Sequence, residues 1–226
     1  MTTNRRSFLS SAAVNAAALA VMPAAAFAAI PREFATSSYS PSDAWDLSWI
    51  SKLNTKHRAV FDCAEPESGN GVWRAWAWTR QNIEVLKLAP SEIVPVIVLR
   101  HDAIVLAMQQ AYWDKYGAGA KKKVTDPMTN KPTNKNPALL DEKDGVVAPY
   151  NMAALHKQIA AGAVALACNV AFQECIETVK QKDGVSEGEA RKRATSYLVP
   201  GVILQPSGVF AAIHAQEAGA MYIRAS

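Results

Sequence analysis

Four short apolar runs each end at residues able to do chemistry. RAVF (58 to 61) is followed by Asp62, EIVPVIVL (92 to 99) by Arg100 and His101, AVALA (163 to 167) by Cys168 and Asn169, and GVILQ (201 to 205) by Pro206, Ser207 and Gly208. A thiol at the start of a helix lies beside unpaired backbone N–H groups and the positive end of the helix dipole, which favour the nucleophilic thiolate. A histidine nearby can move a proton close to neutral pH, an arginine can hold an anion, and Ser-Gly opening a helix offers N–H donors to one. Asp62 and Asn169 join them as candidate binding groups. The opposing reading of Cys168 is packing, because an unpaired cysteine is among the most buried residue types and Ala165 and Ala167 leave tight space around it.

Other chemistries lack their signatures. His57, His101, His156 and His214 form no HxH or HExxH pattern, so no metal is expected. There is no GxGxxG, Walker sequence, CxxC or nucleophile elbow expected in the chain, and no cofactor is expected either. Cys168 and Cys175 on one helix would lie about 10 Å apart, beyond disulfide reach. With Cys63 the three leave an odd cysteine if a single pair forms, and a free thiol in an exported protein needs burial or use.

Export is read from the first 28 residues. Asn4-Arg5-Arg6-Ser7-Phe8-Leu9 precedes a weakly apolar Ala-rich run ending in Ala26-Phe27-Ala28, the layout of a twin-arginine signal with a small-x-small cleavage site. The run carries Asn15 and Pro23 and is shorter than the roughly 20 residues a spanning helix needs, so a periplasmic protein with no membrane anchor after cleavage is expected. Its transient partner is the twin-arginine translocase. Losing Arg5 and Arg6 takes the net charge from +4 to +2, too small a surplus to argue for nucleic acid.

The elements that must position the four polar ends alternate. Residues 29 to 54 read as an aromatic arm ending in a helix from Ser42 to Leu53, with Trp45 and Trp49 facing one way. Within the domain from 55 to 226, strand 58 to 62 leads to helix 71 to 88, with Trp73, Trp76 and Ile83 at helical spacing. Strand 92 to 100 is apolar on both faces, as in a buried parallel sheet, and precedes a helix over 102 to 116 with Asp102 as its cap. Helix 151 to 162, strand 163 to 168 and a helix from 169 follow; Ser186 caps the next helix, and strand 201 to 205, helix 207 to 219 and strand 220 to 224 close the chain. This rhythm predicts a doubly wound α/β fold with a mostly parallel sheet of about five strands, whose ligands bind outside the carboxyl ends of the strands. Residues 117 to 150 break the rhythm as a long basic loop, with a small hairpin at Val124 to Pro132.

The closing half, AVALACNVAF followed by YLVPGVILQPSGVFAAIHAQEAGAMYIR, resembles the DsrE/DsrF-like family of small sulfur-handling proteins. The resemblance spans Leu155 to Arg224 and is weaker through RAVFD and VIVLRHDAI. It implies a flavodoxin-like three-layer α/β/α sandwich, frequent homo-oligomers, and a persulfide-carrying cysteine whose counterpart is Cys168. The export signal, the arm and the long loop are additions to that pattern. Two functions are therefore expected to compete: binding of a small sulfur compound or anion with Cys168 and His101 reacting, and a non-catalytic assembly module in which Cys168 is packing.

Overall fold

The β-branched runs become five strands. In the computed structural model, which describes residues 45–226, they are β1 (His57–Cys63), β2 (Ile93–Leu99), β3 (Val164–Cys168), β4 (Val202–Gln205) and β5 (Met221–Arg224). The export signal and the arm up to residue 44 lie outside the described residues. All strands pair parallel in the order β4-β3-β2-β1-β5, so the last strand returns beside the first. Every residue of β2 is buried, as a central strand covered on both sides must be.

Among the described residues seven α-helices lie between the strands: α1 (Asn70–Leu86), α2 (Gln110–Tyr116), α3 (Ala118–Lys121), α4 (Leu155–Ala160), α5 (Asn169–Asp183), α6 (Glu187–Ser196) and α7 (Gly208–Glu217). Alternation along each strand divides the core in two. Ala59, Phe61, Ile97, Leu99, Ala165 and Ala167 face one side, packed with Val72 of α1, Trp113 of α2, Phe172 and Ile176 of α5 and Ala194 of α6. Val60, Val96, Val98, Val164 and Leu166 face the other, packed with Ala211, Ala212 and Ala215 of α7 and with Trp49 and Leu53. The chain is a three-layer α/β/α sandwich of flavodoxin-like type. Among the described residues no helix is long and apolar enough to cross a membrane.

Four local readings need correction. Within the described part of the expected helix 42 to 53, only a short 3-10 turn, Ser48–Leu53, forms, and its fully buried Trp49 packs against a sheet face. In α1 the residues against the sheet are Gly71, Val72 and Ala75, while Trp73 points outward. A close approach decides this: a Cβ on Gly71 would lie 2.5 Å from the Cys63 sulfur, so the helix seats on small side chains. The expected helix 102 to 116 splits into a 3-10 segment, His101–Ala107, and α2, because the backbone between them pairs elsewhere. Gln109 N–H donates to the Tyr197 carbonyl at 2.7 Å, and Val199 N–H to the Ala107 carbonyl at 2.8 Å. Asp102 therefore caps nothing.

The long loop is tied down. Asn136 is fully buried and donates from Nδ2 to the carbonyls of Leu106 (3.1 Å) and Met108 (2.7 Å), and Asn134 donates to the Trp113 carbonyl at 2.7 Å. The expected hairpin reduces to one antiparallel bridge between Thr125 and Pro132, its turn held by the Asp126 carboxylate accepting N–H groups of Met128 and Thr129.

Candidate functional site

The sheet opens where two successive connections part. After β3 the chain turns onto one face as α5, and after β4 onto the opposite face as α7. Between such diverging helices an open parallel sheet has its binding crevice, outside the carboxyl ends of the strands. A cleft of about 380 Å³ lies there, lined by Arg100 and His101 from the end of β2, Cys168 and Ala171 from β3 and α5, and Ser207 and Gly208 from the start of α7. Val170 and Val209, both well exposed, form its lips.

Cys168 is the last residue of β3 and the N-cap of α5. Its sulfur accepts the Ala171 N–H at 3.4 Å, which satisfies one orphan donor of the helix and sets partial positive charge against the sulfur. The other two cysteines sit differently. Cys63 is fully buried beneath Gly71, Cys175 is buried in α5, and burial pushes both thiols up to about 12. Both remain protonated and inert in the folded protein at neutral pH. All three cysteines are free.

Arg100 is held from behind. Its Nε and Nη2 donate to the two carboxylate oxygens of Asp62 at 2.6 and 2.7 Å, and the Tyr222 hydroxyl donates to the same carboxylate at 2.6 Å. Burial pushes the Asp62 carboxyl up, but the hydrogen bonds from Arg100 and Tyr222 outweigh it and hold it below the ordinary carboxylate value. Asp62, 3% exposed, does not line the cleft and orients Arg100 instead of touching a ligand. Gly208 makes room for this arrangement, since a Cβ there would come within 2.6 Å of the Arg100 stem.

The other expected residues divide. Ser207 lines the cleft, where its hydroxyl oxygen accepts the Phe210 N–H at 3.0 Å as the cap of α7 and its O–H is left to donate. Asn169 is not brought in: its side-chain oxygen accepts from Arg191 at 3.3 Å. His101 is exposed on the rim, with a backbone φ of +46°. A β-carbon is disfavoured in that left-handed region, and such strain collects at functional sites. His101→Gly is expected to raise stability by up to about 1 kcal/mol by relieving the strain, set against the greater freedom of glycine in the unfolded chain. A melting curve showing His101→Gly clearly less stable than His101→Ala would contradict that account.

Residues from the long loop close one flank, which the sequence did not announce. Lys122, its side chain 9% exposed, bridges Asp102 at 2.5 Å and Glu174 at 2.7 Å, and Lys121 reaches Glu174 at 2.9 Å. Burial pulls the Lys122 ammonium down, and the two carboxylates more than compensate, so it stays charged. These lysines neutralise Asp102 and Glu174, and Arg100 lines the cleft with them. Among the described residues no group of histidine, cysteine and carboxylate side chains could hold a metal. Gly184-Val185-Ser186-Glu187-Gly188 has the spacing of a nucleophile elbow, yet it joins α5 to α6 with no strand before it, and Ser186 caps α6.

No protein-family model, curated protein or solved structure matches this chain.

Proposed function

We propose that the crevice binds a small sulfur compound or anion and that Cys168 carries sulfur as a persulfide, in the manner the DsrE/DsrF-like resemblance implies. In the transfer step the Cys168 thiolate attacks the outer sulfur of a donor persulfide, R–S–SH. A new S–S bond forms at Cys168 as the donor's S–S bond breaks. The outer sulfur keeps its hydrogen and the donor leaves as R–S⁻, so no oxidant or reductant is consumed. Arg100 holds the charge of the departing thiolate and His101 supplies its proton. The export signal read at residues 1 to 28 locates this chemistry in the periplasm, and the same resemblance suggests a homo-oligomer.

The observation that carries the reading is the contrast among the cysteines: Cys168, though only 6% exposed, lines the crevice beside Arg100 and His101, while Cys63 and Cys175, 0% and 2% exposed, line none of it. The test is to incubate the folded protein with inorganic polysulfide and map added sulfur by tandem mass spectrometry. Sulfur confined to Cys168 and released by dithiothreitol is the expected result. Sulfur on none of the three, or equally on all, would overturn the proposal.

A further inference from the structure

A cavity of about 430 Å³, larger than the crevice and sharing no lining residue with it, lies between the start of α1 and the long loop. Its size is within the roughly 300 to 1,000 Å³ of small-molecule sites. Val72, Ala138 and Ala154, all nearly fully buried, form its floor. Trp73, Met128, Val147 and Tyr150 also line it and stay 44% to 67% exposed, so large apolar side chains left in water are gathered around one hollow. Gathered patches mark binding sites, whereas single exposed apolar residues do not.

Its walls are fixed before anything binds. Glu67, Ser68 and Gly69 lead into α1 with φ of +33°, +56° and +82°, a left-handed run in which a β-carbon is disfavoured. Two contacts hold this turn against the loop. The hydroxyls of Ser68 and Thr125 share a hydrogen bond at 2.6 Å, and a Cβ on Gly69 would lie 3.1 Å from the Pro137 carbonyl carbon. The Tyr150 ring stands 5.8 Å from Trp76, which in turn stands 6.1 Å from Trp73. Rings braced in this way lose little freedom when another ring stacks on them. The charge of the occupant is set by the lining: among the described residues no Asp, Glu, Lys, Arg or His side chain lines the cavity. An ion entering it would give up water and meet no opposite charge. The crevice, lined by Arg100, His101, Asp102 and Glu174, makes the contrary choice.

We propose that this cavity binds an uncharged, largely apolar ring molecule, seated against Trp73 and Tyr150. Fluorescence titration of the full chain with 1-anilinonaphthalene and with 8-anilinonaphthalene-1-sulfonate tests it, since the two share one ring skeleton and differ in a sulfonate. The neutral compound is expected to bind saturably and at least about tenfold more tightly than the sulfonate, whose charge finds no cation there. Ala153→Phe, which fills the cavity, and Trp73→Ala, which removes an exposed ring and leaves the core intact, are each expected to weaken the neutral compound by about tenfold, the loss of one ring's stacking and buried contact. Sulfonate binding as tight as that of the neutral compound, no saturable binding of the neutral compound, or either variant binding it like the unaltered chain would overturn the proposal. Sulfur loading at Cys168 is expected to be unchanged in both variants, so failure here is separable from failure at the crevice.

Discussion

Asp62→Ala is expected to destabilise the protein by about 3 kcal/mol, the lower end of the range for removing one partner of a buried ion pair. The lower end applies because the Arg100 side chain is 24% exposed and can turn toward water once released. Tyr222 also loses its acceptor. The effect has a definite pH dependence. Because the folded-state carboxyl lies below its ordinary value of 3.8, its contribution is fully present above that value and is lost as the pH falls through the folded-state value. Denaturant titrations should therefore show the gap between Asp62→Ala and the unaltered chain constant near neutrality and shrinking below about pH 4, near the unperturbed Asp value. A gap that widened on acidification would contradict the clamp. The variant should also load sulfur more slowly, since Arg100 then points nowhere in particular.

Cys168→Ser is expected to reduce sulfur loading from polysulfide to background while changing stability by less than about 1 kcal/mol. A serine oxygen takes over the acceptor role toward the Ala171 N–H, and serine is a preferred N-cap, so the strand-to-helix junction survives. Circular dichroism melting and intact mass give both numbers on one sample. Cys63→Ala and Cys175→Ala, by contrast, should load normally if they fold, because their sulfurs never meet the donor. A Cys168→Ser protein that still acquired sulfur would remove the central residue from the mechanism.

The strands and the crevice were legible because both are local statements. β2 is a continuous apolar run that only a covered strand can use, and polar residues following such runs fall at one rim of any parallel sheet. What the sequence hid depends on distant pairings. The break at Met108 and Gln109 is made by backbone near Tyr197 and Val199, some 90 residues away along the chain. The seating of α1 was misjudged because its tryptophans outweigh its small residues in any apolar pattern, while the approach to Cys63 at Gly71 selects the small ones. Lys122 is one of the residues of the long basic loop, and only the fold brings it between Asp102 and Glu174. Asp62 was placed at the correct rim and given the wrong task, since strand parity does not tell whether a carboxylate meets a ligand or a neighbouring arginine.

One sulfur of three, that of Cys168, lines a crevice, and alkylation of the native protein measures its accessibility directly. The folded chain is treated with iodoacetamide at neutral pH, digested, and the modification at each cysteine is quantified with and without prior denaturation. Modification of Cys168 in the folded state, with Cys63 and Cys175 reacting only after unfolding, is the predicted result. A Cys168 that stays unmodified until the protein unfolds would contradict the account.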